Sequence, residues 1–561
     1  MKQPTFLIIG AGSRGTAYAR AITTSTNGRI GAVAEPHPYK RKLLGETYIW
    51  GSNNQSSEGQ EFTSWEEWIT YESQRRQKTK EDGAGDSEQA RAGIDGVLIC
   101  TLDETHIVML TAIANAGFSD LHILCEKPLA LSLGDCLSVY ASWTRSSATA
   151  QSEKLQPISI FSIGHVLRYS PHNLMLRKLV REEKVIGDIV SIEHTEPVGH
   201  WHFAHSYVRG NWRRETEAGD GSLLTKSCHD VDFLMWLVGC PVYSNTSSGT
   251  DGDDVGTEER KLSLRSISST GHLTQFTPSR KPKAAGTTTN CISCPSDVER
   301  SCTYSAIRIY RDDQLRKGET GWPVNIVCPD IEDYLATPIN DNGISNGEIP
   351  ISRRAEDHLL SSLSQDYTPR TPDEDIKKRP WYGRCVYESD NDVVDDQVVL
   401  LAWDDITHPP SPSTSSLKKN KPGVTATLHM TAPTQAQCVR RGRIYGTTGE
   451  IIYTSSSITI HSFNTGTTRV IEIPKQPPEE EKAHGGGDYG LARGFVSAVD
   501  AVLNKDMSVE EAQRVYVGGT LEEIVKSHAV VFGAEESRRQ EQVVKWREWW
   551  GEKLGEFGIE A

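Results

Sequence analysis

Long apolar runs are missing from this chain of 561 residues: no segment approaches the about 18 uninterrupted apolar residues that a bilayer-spanning helix requires. A surplus of positive charge is missing too. Against 60 Lys and Arg stand 75 Asp and Glu, a formal net charge of −15, and a surface of that sign repels phosphate backbones. Membrane embedding and nucleic-acid binding through a basic face are therefore not expected. The opening Met1-Lys2-Gln3-Pro4 runs straight into Phe6-Leu7-Ile8-Ile9, without the longer apolar stretch and cleavage site of a secretory signal. The eleven cysteines form no regular framework. Cys100, Cys125, Cys228 and Cys240 sit inside apolar runs and read as reduced core thiols of a cytoplasmic protein. No internal repeat is evident.

What is present is an ordinary globular balance, 37% hydrophobic and 24% charged, in a chain long enough for two or three domains. Residues 1–150 alternate short apolar runs with helix-like stretches, the pattern of a parallel sheet covered on both faces. Thr5–Ile9, Ile30–Ala34, Gly96–Thr101 and His122–Cys125 are its expected strands, with helices such as Ala17–Thr23 and Ile107–Ala116 between them. Glu72–Ala92 is charged, rich in Gly, Ser and Gln, and reads as a disordered insertion. A second α/β domain is expected over 158–475, its later part a large, mostly antiparallel open sheet. There Val424, Ala426, Leu428 and Met430 alternate with polar residues, and Val398–Trp403 makes a partner strand. Low-complexity loops are expected at 245–258, 343–375 and 407–423. The tail, 488–556, reads as amphipathic helices carrying exposed tryptophans, Trp546, Trp549 and Trp550.

Gly10-Ala11-Gly12-Ser13-Arg14-Gly15 directly follows an apolar strand and opens a helix. In that context the first glycine makes a tight turn, the second admits a pyrophosphate to the backbone, and the third lets helix pack on strand. The helix start offers N–H groups to the phosphates. Glu35 closes the second strand, twenty residues past Gly15, where a carboxylate bonds the adenine ribose and repels a 2′-phosphate. NAD is favoured, while Arg14, Lys40 and Arg41 nearby leave NADP open.

These residues, with three further motifs, resemble the glucose–fructose oxidoreductase / inositol dehydrogenase / MocA (Gfo/Idh/MocA) family. The motifs are Thr101-Leu102-Asp103-Glu104-Thr105-His106, Cys125-Glu126-Lys127-Pro128, and Gly219-Asp220-Gly221-Ser222-Leu223 through His229 and Asp232. The resemblance is close over residues 1–240. It implies a Rossmann domain followed by an α/β domain whose open sheet carries the substrate pocket and an oligomer interface. It places Thr101, Leu102, His106, Glu126 and Lys127 around the cofactor, and it puts Arg168 in a pocket-lining segment. Where the family has an aspartate four residues before the histidine, this chain has Thr225, followed by Lys226.

Oxidising a CH–OH carbon needs a base for the hydroxyl proton and a cation for the developing alkoxide. Lys127 suits the cation. His229, at a helix start that depresses its pKa, suits the base, with Asp232 three residues on as the group that orients its ring. The alternative is a core histidine satisfied by Asp232. His202, His205, Arg209, Trp212, Lys226 and His484 complete the substrate candidates: aromatic faces and polar edges for a sugar, and Arg209 for a carboxylate or phosphate. The histidine spacing fits no standard ligand pattern. Cys291-x-x-Cys294 with Cys302 is half of a structural zinc site lacking a defined fourth ligand, and free loop thiols are the favoured reading.

The expected activity is hydride transfer between NAD(P) and a sugar, cyclitol or related polyol. Thr225 keeps open an NAD-dependent glycoside hydrolase working by transient oxidation and elimination. A non-catalytic dinucleotide-binding regulator is the third reading, against which Lys127 and His229 argue.

Overall fold

The computed structural model describes the chain except residues 53, 82–92, 147–154, 217–220, 242–260, 336–352, 407–420, 483 and 560–561. Six parallel strands form the first sheet, in the order Glu61–Phe62, Arg29–Ala34, Thr5–Ile9, Gly96–Ile99, His122–Cys125, Phe161–Ile163. Such a sheet is hydrophobic on both faces because helices cover both. Phe6, Ile8 and Leu98 pack against helices Ser13–Ser25 and Gly487–Asn504, while Leu7, Ile9 and Val97 pack on the side of His106–Asn115 and Leu133–Trp143.

The second sheet has nine strands in the order Thr468–Glu472, Ser457–Ser462, Gly449–Thr454, Arg441–Gly446, Ile189–Pro197, Lys421–Thr431, Asp396–Asp405, Leu262–His272, Val544–Lys545. Every pair is antiparallel except Ile189–Pro197 with Lys421–Thr431. Val424, Ala426, Leu428 and Met430 are buried as their alternation predicts, and Asp396–Asp405 is the antiparallel neighbour. Helix Cys228–Val238 lies over this sheet, and helix Leu521–Gln540 packs on it, on Leu262–His272 and on Leu133–Trp143. That last helix, opened by a capping box between Thr520 and Glu523, ties the two sheets together.

Three expectations need correction. Residues 72–81 are not disordered: helix Trp65–Glu81 runs through them, and buried Glu72 binds Arg75 and Arg76 one turn on. A buried carboxylate facing two arginines gives the helix an anchor that composition hides. In 343–375, helix Arg353–Ser364 buries Ala355, Leu359 and Leu363, whose spacing of four puts them on one face, and Asp373–Lys377 is a further helical turn. Trp546 and Trp549 are buried at 7% and 8% exposure, because the last helix turns that face onto the core. Residues 82–92, 245–258, 343–352 and 407–420 of the expected insertions, and Gly219 and Asp220 of the glycine-rich turn, lie outside the described residues. Among the described residues no helix is long and apolar enough to cross a membrane.

Candidate active site

The glycine turn has the geometry its sequence demands. Gly10 adopts φ +94°, and a Cβ there would meet the Cys100 carbonyl oxygen at 2.6 Å. A Cβ on Gly15 would lie 2.0 Å from the Gly10 oxygen, so only glycine lets the helix sit this close to the strand. Over Gly12 a Cβ would meet nothing within 4 Å. Gly12 caps a 13-residue helix, Ser13–Ser25, whose first turn holds neither a capping side chain nor an acidic residue. Free N–H groups facing open space fit a dinucleotide pyrophosphate. The buried Glu35 carboxylate accepts from the Ala11 N–H at 2.7 Å and the His37 N–H at 2.9 Å, so it borders the turn. Arg14 turns away, onto Glu126 at 2.7 Å and Asp488 at 2.8 and 3.0 Å. Arg41 is taken by Glu61 and the Glu35 carbonyl.

The strand end at Cys125 delivers Glu126 inward and leaves Lys127 half-buried. Glu126 also accepts from the Tyr18 hydroxyl at 2.6 Å; burial pushes its pKa up, but Arg14 and Tyr18 outweigh that and hold it below the usual range. The Lys127 ammonium donates to the Thr225 carbonyl at 2.7 Å and lies 5.5 Å from the Trp212 ring centroid. The Trp212 indole donates to Asp103 at 2.8 Å. Burial pushes Asp103 up, opposed by Lys127 and His106. Thr101 and the exposed Leu102 stand at the next strand end, where the Thr105 hydroxyl donates to Thr101 at 2.7 Å. His106 is a correction: it is wholly buried, its two ring nitrogens facing the Pro128 and Thr101 carbonyls at 2.8 and 3.3 Å. It joins the two turns and does not face a cofactor.

His229 is the second residue of helix Cys228–Val238 and is half-buried. Burial, with Lys127 and His165 beside it, holds its pKa well below the usual histidine value, so the ring is neutral. Its buried Nδ1 has no hydrogen-bond partner. The expected partner, Asp232, is a correction. Asp232 accepts from Arg168 at 2.7 and 2.6 Å and lies 3.1 Å from His165 Nδ1. His165 in turn meets His229 edge-on, centroids 5.8 Å apart. Arg168, expected in the pocket lining, is 4% exposed and spent on this pair.

Beside His229 lies a charged floor that the sequence reading covered only through Lys226 and His202. Arg440 reaches Asp230 at 2.6 Å and Glu196 at 3.0 Å, and Lys226 reaches Glu196 at 3.3 Å. His194 bridges Asp230 at 2.8 Å and the Tyr453 hydroxyl at 2.6 Å. Lys226 also lies 2.9 Å from the Cys438 sulfur, which is 3.6 Å from His202 Nδ1. Burial, with Lys226 and Lys127 nearby, holds His202 well below its ordinary value. Cys438 and Arg440 sit some 200 residues downstream of the helix they meet, and nothing local in the sequence marks them.

The remaining candidates bond to other partners, although His484 lies within electrostatic reach of His229 and His205 within reach of His202. His205 is buried against the Tyr310 hydroxyl at 2.9 Å. Arg209 is fully buried, donating to the Arg384 and Tyr304 carbonyls at 2.6 and 2.7 Å, with Nη1 left unpartnered. Both follow from a π-helical turn, Ala204–Arg209, that buries all six of its residues. His484 is exposed and paired with Asp488 at 3.0 Å, on the Arg14 side. Cys291 accepts from Arg209 and the Ala306 N–H, each at 3.5 Å; Cys294, Cys302 and Cys385 lie within electrostatic reach of it, but among the described residues no group of three or more His, Cys, Asp or Glu side chains is placed to hold a metal.

A Rossmann sheet with an open glycine turn, joined to a mixed nine-stranded sheet, defines a two-domain dinucleotide-binding protein. Residues 5–153 match the oxidoreductase family model for an NAD-binding Rossmann fold, and residues 177–261 match the C-terminal alpha/beta domain model of the same family. Both models describe one oxidoreductase family, Gfo/Idh/MocA, and together they match less than half of the chain. The chain is 28% identical over 233 residues to the rhizopine catabolism protein MocA of Rhizobium meliloti, covering 41% of this chain and 56% of that one. It is 25% identical over 239 residues to an inositol 2-dehydrogenase of Rhizobium meliloti strain 1021, covering 42% and 54%. The chain thus spans about half the length of these relatives. In fold it matches a levoglucosan dehydrogenase in complex with NADH and levoglucosan, at a TM-score of 0.51 and 14% identity, covering 97% of this chain and 99% of that one.

Proposed function

We propose that this protein is an NAD(P)-dependent oxidoreductase that moves a hydride between the nicotinamide and a CH–OH carbon of a sugar, cyclitol or related polyol. The observation that carries the reading is the Lys127 ammonium fixed on the Thr225 carbonyl, one helical turn before the neutral His229 imidazole. Bound NAD supplies a hydride acceptor. His229, uncharged, takes the hydroxyl proton; Lys127 stabilises the negative charge that grows on that oxygen. The Trp212 ring, itself held by Asp103, lies 5.5 Å from the ammonium. Relatives named for inositol and for 1,5-anhydro-D-fructose support the substrate class.

NAD is the preferred cofactor in this reading. Glu35 keeps a carboxylate beside the turn, and Arg14 and Arg41 are both committed to acidic partners or carbonyls. The test is His229→Ala: turnover of a polyol panel is lost while calorimetry still finds NAD binding. Full turnover in that variant removes the base. Release of a chromogenic aglycone with no net NADH points instead to the hydrolase chemistry.

A further inference from the structure

One nucleophile beside Lys226, Cys438, has no part in the proposed hydride transfer. Cys438 lies on the loop before strand Arg441–Gly446, with φ +55° and its N–H donating to the Pro197 carbonyl at 2.6 Å. That backbone anchor aims the half-buried sulfur at Lys226 Nζ, 2.9 Å away, and at His202 Nδ1, 3.6 Å away. Arg440, two residues on, adds a second cation, while Glu196 and Asp230 answer both cations from behind.

We propose that the Cys438–Lys226–His202 cluster is a modification site: a thiol, set against an ammonium that favours its ionised form, whose sulfur attacks soft electrophiles and hydroperoxides. That the cluster borders a substrate pocket rests on the oxidoreductase reading; the thiol chemistry does not. With a hydroperoxide, the Cys438 sulfur attacks one oxygen, an S–O bond forms and the O–O bond breaks. Sulfur loses two electrons and the peroxide gains them. The leaving hydroxide, or alkoxide, takes a proton from the Lys226 ammonium and departs as water or alcohol, leaving a sulfenic acid and a neutral amine. The added oxygen occupies the space beside Lys226 and His202, so oxidation closes the floor to substrate.

The contrast with the other cysteines is the second support. Burial raises Cys438, but Lys226 and Arg440 overrule it and the thiol falls below its ordinary value. Burial raises Cys228 and Cys240 to about 12 and Cys294 to about 11, with no cation prevailing.

The experiment labels the full chain at neutral pH with limiting iodoacetamide and ranks the modified cysteines by peptide mass spectrometry. Cys438 is expected to react first, about tenfold faster than Cys294, the partly exposed loop thiol. Hydrogen peroxide followed by dimedone is expected to leave its adduct on Cys438. Lys226→Met slows labelling about tenfold and Lys226→Arg restores it, with thermal melts confirming that both variants fold. Labelling of Cys438 no faster than Cys294, or an unchanged rate in Lys226→Met, overturns the proposal. Because labelling needs no turnover, a reactive Cys438 in a chain that oxidises no polyol would sink the oxidoreductase reading and leave this one standing.

Discussion

Asp232 receives two nitrogens of Arg168, at 2.7 and 2.6 Å, and is thereby taken from His229, the neighbour that its helical spacing suggests. The pair is fully buried and clamps helix Cys228–Val238 to the segment Val166–Tyr169 at the edge of the Rossmann sheet. Burial pushes Asp232 up, yet Arg168 and His165 hold it well below the usual carboxylate range, so it is ionised at neutral pH. Under the proposed reading Asp232 is a positioning residue: it lies 3.1 Å from His165 Nδ1, and the His165 ring meets His229 edge-on.

Asp232→Asn therefore leaves Arg168 buried with Glu523, at 4.0 Å, as its remaining carboxylate among the described residues. Breaking one side of a buried pair costs about 3–5 kcal/mol. Urea unfolding is expected to show a loss of that size. An unchanged midpoint with a fallen kcat would return Asp232 to direct contact with the base.

Lys127→Met removes the cation while keeping most of the side chain's volume. The interaction it makes is strongest when charge has grown on the substrate oxygen, so kcat/KM is expected to fall about 10²- to 10³-fold. The NAD dissociation constant, read by calorimetry, should move by less than about threefold, because the proposed pyrophosphate site is the helix start and not Lys127. A Kd that rises as steeply as the rate falls would make Lys127 a cofactor anchor only.

The Rossmann half was legible because its signals are local. A strand, a glycine turn and a terminal carboxylate lie within 31 residues, from Thr5 to Glu35; Gly10 and Gly15 answer close backbone contacts, and Gly12 leaves open space. The second half was legible as alternation at 424–430 but not as a site. Arg440, Glu196 and Cys438 come together only because Arg441–Gly446 pairs with Ile189–Pro197, two strands some 250 residues apart. Arg168, His205 and Arg209 misled for the opposite reason: polar residues near a pocket motif suggest substrate contacts, whereas here each satisfies a buried partner. Periodicity says that a residue faces inward; it does not say whether a ligand or a neighbouring carbonyl waits there.

Glu35 gives a cofactor prediction. Its carboxylate, held by two backbone N–H groups, would meet a 2′-phosphate as a like charge. NAD is expected to bind at least about tenfold tighter than NADP, and Glu35→Ser to narrow that ratio while weakening NAD itself. Calorimetry with both cofactors on both proteins reads the ratio; equal affinities in the unaltered chain would refute the assignment.

The floor of the pocket carries a pH signature. Asp230 and Glu196 both reach for Arg440, at 2.6 and 3.0 Å, and Asp230 also holds His194. Asp230 wins the guanidinium and stays ionised, while burial, with Asp230 adding to it, pushes Glu196 up to about 7. An unfolded glutamate titrates near about 4.3, so between that pH and about 7 the folded chain keeps a proton that the unfolded chain has lost. The stability this adds is complete below the unfolded value and is lost as pH rises through the folded one. At most the slope is about 1.4 kcal/mol per pH unit, and the nearby Lys226 reduces it. Glu196→Gln cannot ionise, so its urea midpoint should gain on that of the unaltered chain step by step from pH 5 to pH 8. Two midpoint curves running parallel across that range would mean that Glu196 is charged throughout, shared evenly between Arg440 and Lys226.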